Sequence, residues 1–115
     1  MHELGIAQAI LDRVANEVTR HAGARPVEVG VLIGEVSGVD AEALAFGFEA
    51  IVKDTEWERL KLSIEWKSRV HCCPSCNREF PVIRFDTACP DCGNTVTVML
   101  NGDELDIAYI EVEDT

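Results

Sequence analysis

The chain has 115 residues and a mass of 12.7 kDa, room for one compact domain or one domain with a small satellite. Its 47% hydrophobic and 27% charged residues exclude a disordered polypeptide. Twenty-one acids against ten bases give a formal charge of −11, which excludes a general polyanion binder, because phosphate affinity needs a basic footprint.

In chain order, Leu4, Ala7, Leu11, Val14 and Val18 recur at three- and four-residue spacing, which predicts one apolar stripe of a helix over residues 3–21. Gly23 follows as a stop signal. Val27, Val29, Val31 and Ile33 then alternate with Glu28, Gly30, Leu32 and Gly34, the pattern of a strand. Ser37-Gly38-Val39-Asp40 is turn chemistry, and Asp40 can cap the helix that Ala41, Leu44, Ala45, Phe48, Ile51 and Val52 define. Glu49 and Lys53 are spaced for an ion pair on its outer face. Leu60, Leu62, Ile64 and Trp66 alternate with polar residues as a second strand. A third strand is expected over residues 104–112, with Leu105, Ile107 and Tyr109 on one face.

Residues 70–101 differ in kind, since four of the five cysteines form two CxxC pairs there. The chain therefore reads as an α/β fold of α+β character: two helices on a small three-stranded mixed sheet with an inserted module. The main domain is residues 1–69 with 102–115, and the module is residues 70–101. A strand, a crossover helix and a second strand predict a parallel pair.

Cys73-Pro74-Ser75-Cys76 and Cys89-Pro90-Asp91-Cys92 are two hooks separated by twelve residues. Hooks on tight turns bring four thiolates to the corners of a tetrahedron, which suits zinc and leaves no open position for catalysis. Residues 79–85 can form the hairpin arm of a zinc ribbon. A redox dithiol would appear once, opening a helix after a strand, and neither pair has that setting. A module of about thirty residues cannot bury enough core to fold alone, and structural metal supplies the missing stability. Cys72 reads as a small hydrophobe outside the hooks ahead of an alternate ligand, and His71 as a solvated linker residue beside them ahead of a fallback ligand. His21 takes no metal role. The module carries Arg78 and Arg84 against Glu79, Asp86 and Asp91, so a nucleic-acid ribbon is the weaker alternative.

Met1-His2-Glu3 is a second candidate site. If Met1 is retained, its α-amine, the next amide nitrogens and the His2 imidazole lie within a few bonds of one another. Nickel(II) and copper(II) take such nitrogen sets in square-planar geometry. Glu3 also suits a helix amino end simply as an acid. No apolar run is long enough to span a membrane, and the start lacks the basic and apolar regions of a signal peptide; a cytoplasmic protein with reduced thiols is expected.

Taken together, Met1-His2-Glu3-Leu4, Gly34-Glu35-Val36-Ser37-Gly38-Val39, the two CxxC hooks, the run from Gly102 to Leu105, and Ile110-Glu111-Val112 resemble the HypA/HybF family of nickel-incorporation accessory proteins of NiFe-hydrogenase maturation. The resemblance covers essentially the whole chain, in order. It implies a nickel metallochaperone and no enzyme, with Ni(II) as transient cargo at Met1, His2 and Glu3. It also implies a structural Zn(II) on Cys73, Cys76, Cys89 and Cys92. The partners it implies are the GTPase HypB, the hydrogenase large-subunit precursor and, in some relatives, the urease machinery, with neither nucleic acid nor membrane. Gly5 and Cys72 depart from the family pattern.

Overall fold

The structure is a computed structural model, and it describes residues 2–114. Eight elements follow one another: α1 (Glu3–Thr19), β1 (Ala24–Gly34), α2 (Ala41–Val52), β2 (Lys61–Lys67), β3 (Val70–Cys72), β4 (Glu79–Pro81), β5 (Val98–Asn101) and β6 (Leu105–Asp114). They build two three-stranded sheets, ordered β2-β1-β6 and β4-β3-β5. The molecule is elongated, with extents of 56 × 25 × 16 Å.

In the first sheet β1 is the centre, parallel to β2 across the α2 crossover and antiparallel to β6. Val29, Val31 and Ile33 project from β1 into a core with Ala7, Ile10, Leu11 and Val14 of α1 and Leu44, Phe48 and Val52 of α2. Two details of the first helix depart from the stripe read in sequence. Leu4 is 60% exposed, and Ile10 takes its place in the core. Asp40 caps α2 as its sequence position implies, accepting from the Ala43 N–H at 3.1 Å. The Glu49–Lys53 pair does not form among the described residues, because Lys53 is already past the helix with ψ 134°.

The third strand corrects the face expected for it. A bulge lies between the pairs Gly30↔Tyr109 and Val31↔Ile107, so Ala108 is the extra residue. One added residue flips the alternation, and Ile107 and Ile110 both reach the core. Tyr109 goes to the opposite face, where its ring lies over Gly30 and its hydroxyl donates to Glu28. A β-carbon on Gly30 would come within 2.6 Å of Tyr109 Cδ2.

The second sheet is antiparallel throughout and has its own small core of Phe80, Val82, Cys73 and Cys89. The chain leaves the first sheet after Lys67 and returns at Leu105, and the two crossing segments are stitched to the end of β1. Gly34 N–H donates to Glu104 O at 2.8 Å, Val36 N–H to Gly102 O at 2.7 Å and Glu35 N–H to Lys67 O at 2.9 Å. The Glu35 carboxylate accepts from Arg69 N–H at 3.1 Å. Gly34 and Gly102 permit this crossing. A β-carbon on Gly34 would overlap the Gly102 carbonyl and lie 2.6 Å from Asp103 N, and Gly102 itself has φ +134°.

Candidate metal sites

The two hooks fold into matching knuckles. Cys73 N–H donates to Arg78 O and Cys89 N–H to Asn94 O, both at 2.9 Å; Asn77 N–H returns to Cys73 O and Gly93 N–H to Cys89 O. The closing residue of each is left-handed, Asn77 at φ 61° and Gly93 at φ 76°. Each first thiol then receives two backbone N–H groups, from Ser75 and Cys76 in one knuckle and from Asp91 and Cys92 in the other. Each second thiol receives one, from Arg78 or Asn94. Cross-links between the knuckles hold the pair: Arg78 Nη1 to Asp91 Oδ1 at 3.0 Å, and Asn94 Nδ2 to Ser75 Oγ at 2.9 Å.

This arrangement brings all four sulfur atoms within 4.8 Å of one another. Cys73 and Cys89 are buried in the small core, while Cys76 and Cys92 face outward. Two pairs run between knuckles, Cys73–Cys92 at 3.5 Å and Cys76–Cys89 at 3.6 Å. Zn–S bonds of about 2.3 Å at tetrahedral angles put sulfurs about 3.8 Å apart, so the cluster fits that ion. Burial pushes the Cys73 thiol up, but the N–H groups of Cys76 and Ser75 and the neighbouring thiols outweigh it and bring it down to about 6. For Cys89 the Cys92 N–H outweighs burial, with the same downward result. Thiolates are the metal-binding form, so these dipoles favour a cation at the centre.

Two neighbouring residues separate cleanly. Cys72 is a free thiol outside the cluster, with its sulfur toward the Cys73 carbonyl. His71 is not the solvated linker expected from its position; it is 5% exposed, in the middle of the central strand β3. Its Nε2 accepts from Arg69 Nε at 3.1 Å, leaving Nδ1 to donate to Thr97 Oγ1 at 2.9 Å. Thr97 Oγ1 donates in turn to Thr87 O at 2.6 Å. Burial, then the Arg69 charge, depress the imidazole pKa and keep it neutral. A polar residue with strand neighbours gave no sign of this; its satisfying partner Thr97 lies 26 residues on.

At the amino end, His2 is the N-cap of α1, extended at φ −92° and ψ 104°, and its carbonyl accepts from Ile6 N–H. Its side chain is exposed and caps nothing. Glu3 does something sequence did not indicate. Its Oε2 accepts from the backbone N–H of Asp40, 37 residues away, at 3.1 Å. That bond holds its carboxyl below the usual range, and it ties the amino ends of the two helices together. Met1 lies outside the described residues. The segment Gly34-Glu35-Val36-Ser37-Gly38-Val39 thus runs from the neck of the second sheet to the residue that anchors Glu3.

Comparison with known proteins extends over nearly the whole chain. The family profile described as "Hydrogenase/urease nickel incorporation, metallochaperone, hypA" matches residues 1–112. A hydrogenase maturation factor HypA from Geobacter sp. (strain M21) is 37% identical over 113 residues, spanning 98% of this chain and all of the relative. The one from Chlorobaculum parvum is 31% identical over the same span of each. Among solved structures, a HypA protein in solution superposes with a TM-score of 0.72 at 20% identity, covering 98% of this chain and 97% of its own. The Ni metallochaperone HypA from Helicobacter pylori gives 0.66 at 20% identity, covering both chains completely.

Proposed function

The chain belongs to the HypA family of hydrogenase maturation factors, and from that premise we propose that it is a nickel metallochaperone that takes Ni(II) at its amino end and hands it to an acceptor protein. The observation that carries this reading is the exposed His2 imidazole at the head of a helix whose position is fixed by Glu3 and Asp40. The cargo ligands are the Met1 amine, His2 and Glu3, with amide nitrogen completing a planar set. A site with an open side can be entered by a competing ligand from a partner, so release proceeds by ligand exchange. Amine and imidazole must be unprotonated to bind, so affinity falls as pH drops from about 7.5 toward 6.

The resident metal is zinc, held by Cys73, Cys76, Cys89 and Cys92, where it supplies structural cross-linking. On this reading residues 70–101 are a zinc module and residues 1–69 with 102–115 the nickel-handling domain. The protein works in the cytoplasm with the GTPase HypB and the hydrogenase large-subunit precursor, with the urease machinery of some relatives as the alternative acceptor. It performs no catalysis of its own. The module's formal charge is −1 before any thiolate is counted, which supports protein rather than nucleic-acid partners.

Isothermal titration of untagged, zinc-loaded protein with Ni(II), beside His2→Ala, tests the proposal. One nickel per chain, lost in the variant, is expected. Nickel binding indifferent to His2 overturns the amino-terminal site.

A further inference from the structure

The hairpin arm of the module closes in a two-residue turn that its own sequence does not favour. Ile83 and Asp86 bridge across it, with the Asp86 N–H donating to Ile83 O at 3.1 Å. The two residues between them are both left-handed, Arg84 at φ 54° and Phe85 at φ 65°. Two-residue hairpin turns of this primed type require that conformation at both central positions, and Asn-Gly or Asp-Gly supplies it with little steric cost. The chain keeps to that preference elsewhere: every other positive-φ residue among those described is Gly, Asn or Asp. Only at this tip do two bulky side chains stand in it, so something other than backbone conformation retains them.

Packing does not retain them either. Phe85 is 85% exposed, the most exposed large apolar side chain among the described residues, and Ile83 beside it is 65% exposed. Arg84 is exposed and joins no ion pair among the described residues, whereas Arg78, the module's other arginine, is held by Asp91. The Asp86 carboxylate is already engaged, accepting from Ala88 N–H at 3.1 Å. The base of the turn is fixed on both sides. Val82 is buried and its N–H donates to Arg69 O at 3.0 Å, and Thr87 O accepts from Thr97 Oγ1 at 2.6 Å. An aromatic ring, an aliphatic side chain and an unpaired guanidinium thus stand in water on an anchored mount.

We propose that residues 83–85 are a docking knob for a protein partner, with Phe85 entering an apolar socket and Arg84 closing on a carboxylate at its rim; the partner, though not the knob, is taken from the maturation reading above. Charge complementarity selects that surface. The chain carries −11, so broad contact with an acidic protein is repelled, yet one unpaired cation flanked by apolar side chains can engage an acidic-rimmed pocket at a single point. The same charge disfavours a nucleic acid or an anionic lipid surface, which would meet the whole negative field around one arginine. Phenylalanine and arginine are enriched where protein interfaces are buried, and side chains on a fixed turn lose less freedom on binding. An Asn-Gly turn would close the hairpin with less strain and present nothing to a partner, which accounts for the residues found here.

Biolayer interferometry of the full-length, zinc-loaded chain against the purified HypB GTPase and the purified hydrogenase large-subunit precursor tests this. At least one of them binds the wild type, and Phe85→Ala and Arg84→Glu each raise its dissociation constant about tenfold or more. A chain carrying Arg84→Asn together with Phe85→Gly separates recognition from folding. It keeps the wild-type far-UV circular dichroism and holds zinc against a chelator at least as long, because its turn is relaxed, yet it binds as weakly as Phe85→Ala. Partner affinity unchanged in all three variants overturns the knob and leaves the partner reading standing. A wild type that binds neither protein overturns both. Co-sedimentation with phosphatidylcholine vesicles that Phe85→Ala abolishes makes the tip a lipid anchor and overturns the proposal as well. Nickel stoichiometry, titrated on the same preparations, keeps its wild-type value in every variant, so failure here is distinct from failure of the amino-terminal site.

Discussion

Adding one methyl group at Gly34 tests the crossing that joins the two sheets. The β-carbon of Gly34→Ala would overlap the Gly102 carbonyl and approach Asp103 N to 2.6 Å, and every atom it meets is backbone. No rotamer change relieves that; the returning segment must move by about 1 Å to reach ordinary contact. The bonds that hold it there are Gly34 N–H to Glu104 O at 2.8 Å and Val36 N–H to Gly102 O at 2.7 Å. Losing or stretching both costs about 2–4 kcal/mol, against a gain of about 0.4–1 kcal/mol from the stiffer unfolded chain. The net loss is about 1.5–3 kcal/mol, which shifts a urea midpoint down by about 1 M. Trp57 packs against the first core and Trp66 belongs to β2, so tryptophan fluorescence follows the right part of the molecule. Gly5→Ala is the control: nothing lies within 4 Å of its β-carbon, it sits inside α1, and it should stabilise by about 0.5–1 kcal/mol. A Gly34→Ala midpoint equal to wild type would refute the tight crossing.

The amide of Asp40 should titrate with the Glu3 carboxyl when followed by NMR, with a midpoint below the ordinary 4.5, since the folded pKa is depressed. The sign follows: the bond contributes fully above the unfolded pKa and is lost as pH falls through the lower folded value, so Glu3 stays ionised at pH 6 and the proposed loss of nickel there rests on other groups. A midpoint above 4.5 contradicts the Glu3–Asp40 contact. Chelating the structural metal should abolish hydrogen-exchange protection in Val70–Cys72 and Val98–Asn101 while β1, β2 and β6 keep theirs, because metal binding of about 10–16 kcal/mol far exceeds what burying Phe80 and Val82 can contribute; protection unchanged after chelation counts against a metal-dependent module. Phe80→Ala should cost about 3–5 kcal/mol and weaken retention of the metal, measured by competition with a colorimetric chelator, whereas Phe85→Ala, at 85% exposure, should leave both unchanged.

Local information carried much of the fold. The periodicities of residues 3–19 and 41–52 and the alternation around Val29–Ile33 were sufficient for the helices and the central strand, and the crossover rule gave β2 its parallel direction. Whatever depended on distant partners stayed hidden. The face of Tyr109 is decided by a bulge at Ala108 that only the pairing with β1 reveals. His71 looks like a surface residue until Arg69 and Thr97 satisfy both ring nitrogens inside the module. The cysteine hooks were legible because two CxxC pairs at that separation have few uses besides holding a metal, and their spacing is also their geometry. At the amino end, residue types indicated a nitrogen-rich site, but the Glu3–Asp40 tie spans 37 residues and leaves no local trace.

The central position of β1 has a consequence for synthesis. One of its neighbours, β2, follows within thirty-odd residues, but the other, β6, is the last element of the chain. From the moment Gly34 is made, about seventy residues must be added before β6 begins to form. At about 5–20 residues per second that is about 4–14 s during which one edge of a valine-rich strand stands open beside the ribosome. All four clustered cysteines are made within that interval. On the zinc-module reading, a cell short of the metal would leave the interposed segment unfolded, and β6 would have to find the open edge at the end of a long loose loop. Folding yield in vivo should therefore track metal supply during translation, even for a protein whose first sheet holds none of it.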